Sequence, residues 1–376
     1  MIQIMSKTHY LLFMLLTMSM TYSACSSDEE CCDPEIIESP SFDREAMLKD
    51  WADDIVIPSF ENYSEVLGVL KSANETFISA PTIANLESLR SRYIEAYASW
   101  QSVSLFDIGK AESIALRNFS NIYPTSIDKI TSNITAGGYN LELPSNFVAQ
   151  GFPALDYLMY GMADDDEEIV EIYNDAKYAT YLTEVINRLD ALANEVLADW
   201  KGSYREDFIA NQASSATGSI DKLVNDAIFY YEKFLRAGKI GIPAGVFSGN
   251  TISDAVEAPY SGIYSKQLFD EGLNSFQDFF NGKSLSRSDI KSLRHYLDAV
   301  DAQKDGVMLS QLINNQIDKA RTKSNELDDN LKQQVVGDNA KMLETYDELQ
   351  KVVVLLKVDM LQALNIKVDF VDADGD

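Results

Sequence analysis

Apolar residues recur at three- and four-residue steps along most of the chain, and this periodicity is the feature that most constrains its fold. Such steps place side chains on one face of an α-helix. No long segment alternates apolar and polar residues as a half-buried strand does. The pattern therefore predicts an all-α protein made of packed helical bundles. Three stripes show it best: Ile83, Leu86, Leu89, Tyr93, Ala96, Tyr97 and Trp100; Leu182, Val185, Ile186, Leu189, Leu192, Val196 and Leu197; and Leu343, Tyr346, Leu349, Val353, Leu356 and Met360.

Residues 1–24 are typical of a targeting segment. The run "YLLFMLLTMSM" has the length of a signal-peptide core and is too short to span a bilayer. It ends in "TYSAC", which resembles a bacterial lipoprotein cleavage box, although Tyr22 stands where leucine is usual. We therefore expect a lipid on Cys25 that attaches the chain to the membrane; the alternative is an ordinary secretory signal cut nearby. The following "SSDEE" resembles a surface-export signal, so we expect a bacterial outer-membrane lipoprotein, either exposed on the surface or on the periplasmic face.

Cysteine and histidine are too scarce for several kinds of catalytic site. The three cysteines, Cys25, Cys31 and Cys32, all lie in the predicted tether. The folded part therefore has no disulfide, no thiolate nucleophile and no cysteine metal ligand. Of the two histidines, His9 leaves with the signal peptide and His295 is expected on a helix surface. A zinc site usually needs two or three histidines, so zinc chemistry is disfavoured.

The formal net charge of −28 bears on the class of partner. Nucleic acids are bound by clustered lysine and arginine, so a nucleic-acid partner is excluded. A strongly negative field attracts cations and keeps a protein soluble. An acidic chain poor in histidine suits hard cations, including ferric iron held through oxygen, better than it suits zinc.

The length of the mature chain suggests two domains, each large enough for its own core. The segment "KGSYREDF" near the midpoint is expected to be a turn between long helices, and a Gly/Pro-rich segment interrupts the second half. Long irregular segments of this kind are usually functional or mobile. The predicted organisation is a signal peptide (1–24), a lipid-anchored tether (25–42), an N-terminal bundle (43–203) and a C-terminal bundle (204–376) with a long loop at 236–262.

Four features, in this order, resemble the imelysin-like lipoproteins. They are the lipoprotein signal, "GFPALDYLMYG" at 151–161, "KIGIPAGVFSGNT" at 239–251 and the carboxyl-terminal "VVVLLKVDMLQALNIKVDFVDADGD". The resemblance covers essentially the whole mature chain. It implies two helical bundles with a cleft between them. The family includes a proposed insulin-cleaving peptidase and iron-regulated proteins associated with iron uptake.

The resemblance places "GFPALD" on the family's G-x-H-x-x-E segment, whose His and Glu share a helix face and hold a metal or act as an acid–base pair. Gly151 matches the glycine, but Pro153 stands at the histidine and Asp156 at the glutamate. Proline has no ligand atom, and its missing N–H costs nothing in the first helical turn. We therefore expect no catalytic residues here. Gly151 and Pro153 mark the cleft, and Asp156 is a candidate metal ligand, unless it only favours the helix dipole.

Two further groups are candidates for the cleft. Glu112 in "GKAESIALRNF" is a candidate metal ligand; the alternative is a solvated helix carboxylate, with Arg117 at the surface beside it. Ser248, Asn250 and Thr251 match F-S-x-N-T on the predicted loop. They either line the cleft or cap a local turn, at which these residue types excel.

The sequence thus favours a non-catalytic envelope lipoprotein that binds an iron-like metal or a metal complex through oxygen ligands in the cleft, in association with iron uptake. One alternative is a surface module that binds an envelope protein partner. The other is a divergent imelysin-type metallopeptidase, which lacks the residues normally assigned to that chemistry.

Overall fold

The computed structural model describes residues 42–368, and these are almost entirely helical. The predicted signal peptide, Cys25, the carboxyl-terminal tail and nearly all of the predicted tether lie outside the described residues. The α-helices are α1 (Arg44–Asp50), α2 (Ile57–Ser79), α3 (Ile83–Val103), α4 (Lys110–Ser113), α5 (Leu116–Ser120), α6 (Ile127–Ala136), α7 (Gly151–Asp156), α8 (Asp166–Ile172), α9 (Ala176–Asp199), α10 (Arg205–Ala210), α11 (Ser219–Phe229), α12 (Ser265–Asn281), α13 (Leu293–Ala299), α14 (Leu309–Ser324), α15 (Leu331–Gly337), α16 (Asn339–Val354) and α17 (Leu361–Ala363).

Several helices continue into wider π-helical turns, and the described residues contain one small sheet. Its strands, β1 (Gln303–Lys304) and β2 (Val307–Met308), pair antiparallel. Within residues 42–368, no helix combines the length and hydropathy that crossing a bilayer requires. The π-helical segments are Trp51–Val56, Tyr157–Gly161, Trp200–Tyr204, Tyr230–Gly241 and Leu355–Met360, and the 3₁₀ turns are Pro144–Ala149 and Ser253–Ala255.

Side-chain caps and apolar stripes explain where the main helices begin and which faces they bury. Thr82 accepts a hydrogen bond from the backbone N–H of Asn85 at the start of α3, at 3.2 Å. Asp165 caps α8 in the same way. Such caps satisfy backbone N–H groups that have no partner within the helix. The three predicted stripes lie mainly in the core; only Ile83 and Leu343 among them are largely exposed.

Two helix groups pack around one continuous apolar core. Helices α2, α3 and α9 pack together in the first half, and α14, α16 and the π-helical segment Tyr230–Gly241 pack together in the second. Helix α12 contacts both α3 and Tyr230–Gly241, and thus joins the two groups. Across this junction the rings of Trp51 and Phe279 lie 5.1 Å apart. The all-α bundle prediction is confirmed.

The breaks between elements differ from two sequence predictions. The segment "KGSYREDF" is helical except at Gly202, whose non-helical backbone divides two helices, so the predicted turn is a sharp kink; the chain next leaves the helical conformation at 211–218. The predicted loop 236–262 begins later, because residues up to Gly241 are π-helical. The proposed boundary between the bundles at 203/204 stays a prediction.

Candidate functional site at the junction of the two halves

The segment "GFPALDYLMYG" forms a short buried helix followed by a π-helical turn. Every residue of α7 is buried, including Pro153 in its first turn. Phe152 stacks on Tyr97 of α3, with ring centroids 4.4 Å apart. Gly161 closes the segment against the ring of Tyr260, and a Cβ there would lie 2.5 Å from that ring. The segment is thus tightly packed into the interior.

Asp156 connects this helix to the second half of the chain. The backbone N–H of Tyr260 donates to its Oδ2 at 2.8 Å, and the backbone N–H of Ser261 donates to its Oδ1 at 3.2 Å. The side chain is completely buried. Both carboxylate oxygens therefore hold the end of the irregular segment that follows Gly241.

Burial raises the pKa of Asp156 to about 6, although the N–H groups of Tyr260 and Ser261 lower it. A carboxyl whose pKa is higher in the folded than in the unfolded state binds its proton more tightly when folded. Its stabilising contribution is therefore complete below about pH 4 and is lost as the pH rises through about 6.

Asp156→Asn is expected to flatten part of this pH dependence. Because the amide does not ionise, the variant should gain about 3 kcal/mol relative to the wild type between pH 4 and pH 7. Urea unfolding of both proteins across this range measures the difference, with the values at pH 4 as the internal reference. A constant difference at every pH would show that Asp156 is not a buried ionising group.

The metal or acid–base pair that the family resemblance implies does not fit this segment. Pro153 offers no ligand atom, and the oxygens of Asp156 are already bound to backbone N–H groups. Within residues 42–368, no group of three or more His, Cys, Asp and Glu side chains is placed to hold a metal ion. The contacts that the structure gives this segment include packing contacts and the two backbone hydrogen bonds to Asp156.

A second buried polar cluster lies nearby and also joins the two halves. Glu257 accepts hydrogen bonds from Asn121 Nδ2 at 2.7 Å and from Gln101 Nε2 at 3.2 Å, and its other oxygen binds Lys239. Tyr97 donates to Asn121 Oδ1 at 2.6 Å. Burial lowers the pKa of Lys239, and the Glu257 carboxylate opposes that change. Lys239 belongs to a π-helical segment, a conformation common at functional sites.

Arg117 connects a third group of polar side chains. Its guanidinium donates to the carbonyl of Ser104 at 2.7 Å and to both oxygens of Asp226 at 3.0 and 3.1 Å. Its other terminal nitrogen lies 3.5 Å from Asp107 Oδ2. The expected surface position of Arg117 is therefore wrong, because the side chain is buried against Asp107 and against Asp226, which is distant in sequence.

A solvent-open cavity of about 220 Å³, which we call the junction cavity, borders this third group. Asp107, Ile108 and Glu112 line it from the first half, and Lys222, Asn225, Asp226 and Phe229 line it from the second. Glu112 thus lines the junction cavity, and its role as a metal ligand stays a prediction. Asp156 does not line this cavity, and its oxygens bind the backbone of Tyr260 and Ser261, so the two predicted metal ligands do not share the junction cavity.

The F-S-x-N-T residues form a local turn. Ser248 Oγ donates to the carbonyl of Asn250 at 2.6 Å and accepts from its backbone N–H. Ser248, Asn250 and Thr251 are exposed. The turn-capping alternative describes their contacts, and they border none of the polar clusters above.

Sequence reasoning missed Glu257, Lys239, Asp226 and Asp107. A usable signal was present, because each of the first three is a charged residue within an apolar stretch: "DAVEAP", "AGKIGIP" and "LVNDAIF". Charged residues are rarely buried unless they are paired. Glu257 contacts Gln101 and Asn121, and Asp226 contacts Arg117, across more than one hundred residues, so these pairings could not be predicted from local spacing.

The chain is similar to known proteins over most of its length. The sequence model of imelysin matches residues 56–358. An imelysin-like protein from Psychrobacter arcticum 273-4 has a similar fold, with a TM-score of 0.68 and 18% identity over 87% of this chain and 97% of that one. A "putative iron-regulated protein A precursor" from Parabacteroides distasonis ATCC 8503 has a TM-score of 0.68 and 16% identity, over 84% of this chain and 95% of that one.

No curated protein matches the chain significantly. At these identities the two solved structures establish the likeness of fold alone. The sequence match, in contrast, extends over both helix groups and includes α7, the Lys239–Glu257 cluster and the junction cavity. The chain therefore belongs to the imelysin family.

Proposed function

We propose that this chain is a non-catalytic binding protein of the cell envelope, whose ligand occupies the junction cavity. One contrast carries the proposal. The family's reactive positions are Pro153 and an Asp156 whose two oxygens each accept a backbone N–H, whereas a polar cavity open to solvent lies between the two halves. Small-molecule sites favour such junctions between structural units.

The ligand class that we propose is a metal complex or a hydrated cation whose metal, like iron, prefers oxygen ligands. It binds together with its own ligands and not as a bare ion. Three carboxylates line or border the cavity, and the chain carries a net charge of −28. The described residues offer no ready-made cage for a bare ion. The name of the Parabacteroides protein supports an association with iron, which we extend to this chain as iron uptake.

The location belongs to the same proposal. The "TYSAC" sequence supports a lipid on Cys25 and attachment to the outer membrane, on either its surface or its periplasmic face. A peptidase role has less support, because neither a nucleophile nor a metal-activated water has its usual residues at the family motif.

A protein-interaction module is the second candidate. It is favoured by four apolar side chains on one irregular segment that are more than one-third exposed: Ile242, Val246, Phe247 and Ile252. Clustered exposed apolar residues mark interaction surfaces.

Calorimetric titration of the mature chain with anaerobic iron(II) and with iron(III) citrate tests the binding function. We expect saturable 1:1 binding of at least one of them, weakened about two- to fivefold by Glu112→Gln because its carboxylate is exposed. Glu87→Gln, an exposed carboxylate on α3, is the matched control for net charge. Failure of both iron species to bind would overturn the iron-like ligand class, and chelator-sensitive cleavage of casein by the homogeneous protein would overturn the non-catalytic function.

A further inference from the structure

The deep wall of the junction cavity carries carboxylates that are only partly neutralised. Both oxygens of Asp226 accept from Arg117, and Oδ2 also accepts from the backbone N–H of Asp107 at 2.6 Å. Asp107 Oδ2 lies 3.5 Å from Arg117, but its buried Oδ1 has no hydrogen-bond donor among the described residues. One hydrogen-bond acceptor on a charged group is thus left over in the wall of the cavity.

Asn225 supplies a second acceptor. Its Nδ2 donates to the carbonyls of Asp221 and Lys367, each at 2.7 Å, which uses both amide hydrogens and fixes the orientation of the amide group. Its Oδ1 is buried and accepts no hydrogen bond from residues 42–368. The side chain is 1% exposed, yet it lines the cavity. Buried acceptors without a donor are rare and costly, so they call for an explanation.

The remaining lining suits a compact cation. Phe229 contributes an aromatic ring, Ile108 an apolar contact and Glu112 an exposed carboxylate. Lys222 is the one basic residue among the described lining residues. If Arg117, which lies behind the wall, is included, the cavity has three carboxylates and two basic groups, and so an excess of negative charge. The face of an aromatic ring also attracts a cation.

We propose that the junction cavity recognises a compact cation that carries N–H donors, either a primary ammonium or a metal ammine complex, through Asp107 Oδ1, Asn225 Oδ1 and the ring of Phe229. The inference rests on the proposed binding function and names the chemistry of its ligand. Such a ligand supplies a donor to each unpartnered acceptor and a positive charge to the wall.

The pKa values of the two carboxyl groups in the cavity wall agree with this assignment. Burial raises the pKa of Asp226 to about 6 and also raises that of Asp107, although Arg117 lowers both. Arg117 alone therefore does not offset the cost of burying the two charges. An anion would add to that cost, whereas a cation with donors reduces it.

Three probes of similar size test the proposal by calorimetry at pH 7.5. 1,4-Diaminobutane is an organic diammonium, hexaamminecobalt(III) is a substitution-inert complex that presents N–H donors around a metal, and 1,4-butanediol is an uncharged control. We expect at least one of the first two to bind 1:1 and the diol not to bind. Binding of the diammonium alone identifies an organic amine as the ligand source, and binding of the cobalt complex identifies an ammine-like or hydrated metal.

Variants of the lining residues test whether the probes bind in the junction cavity. Asp107→Asn should weaken it at least about tenfold, because it removes a buried charge with a free acceptor. Phe229→Leu should weaken it about threefold while keeping an apolar side chain, and it keeps the test decisive if Asp107→Asn does not fold. Glu87→Gln should leave it unchanged. Wild-type affinity in Phe229→Leu and in a folded Asp107→Asn would overturn the proposal.

The two proposals fail in different ways. If neither N–H cation binds while an iron species binds and is sensitive to Glu112→Gln, the ligand chemistry is wrong and the binding function survives. If none of the iron species or N–H cations binds, the binding function itself is wrong.

Discussion

Replacing Lys239 with methionine is expected to lower the free energy of unfolding by about 3–5 kcal/mol, the usual cost of breaking a buried ion pair from one side. The variant leaves Glu257 charged in the interior, with the amides of Gln101 and Asn121 as its remaining hydrogen-bond partners within residues 42–368. Both members of the pair are at most 2% exposed, so water cannot replace the lost ammonium. Urea unfolding at pH 7.5 measures the effect.

Two controls separate the buried charge from a simple loss of packing. Lys239→Met combined with Glu257→Gln removes both charges and should recover a large part of the loss, because an uncompensated charge is the main penalty. Lys332→Met breaks an exposed pair with Asp254 and should change stability by less than about 1 kcal/mol. An equally unstable double variant would show that shape, and not charge, determines the cost.

Gly151→Ala is expected to be the second large effect, with a loss of about 2–5 kcal/mol from backbone strain and overpacking together. Gly151 has φ +73°, which disfavours any side chain, and a Cβ there would lie 2.2 Å from the carbonyl oxygen of Ser120. Relief would require the backbone of α5 to move. Thermal and urea unfolding measure the loss.

Gly137→Ala is the matched control. Gly137 ends α6 with φ +65°, but a Cβ there would meet no atom within 4 Å. It should therefore show only the cost of the left-handed conformation, about 1–2 kcal/mol. Equal losses in the two variants would contradict the close approach of α7 to Ser120.

The helices were predictable because their signal is local. Leu86, Leu89, Tyr93 and Trp100 follow the helical period and lie buried on one face of α3. The π-helical continuation at Tyr230–Gly241 was not predictable, since its sequence includes Gly238 and Gly241 and reads as the beginning of a loop. Packing against α12 and α16 overrides that local preference.

The candidate site was less predictable because its contacts are distant in sequence. The replacement of the motif histidine by Pro153 was visible in the sequence, and so was the candidacy of Glu112. That Asp156 holds Tyr260 and Ser261 depends on a contact across more than one hundred residues. The same holds for Arg117 and Asp226, so the sequence placed Arg117 at the surface.

Anomalous diffraction at the iron edge, from crystals grown anaerobically with iron(II), tests the central claim most directly. The claim is that the ligand occupies the junction cavity while the family motif has become structural. The predicted result is a strongest iron peak in the cavity beside Asp107, Asn225 and Phe229, with none at Asp156. A strongest peak at Asp156, or no peak in the cavity, would contradict the account.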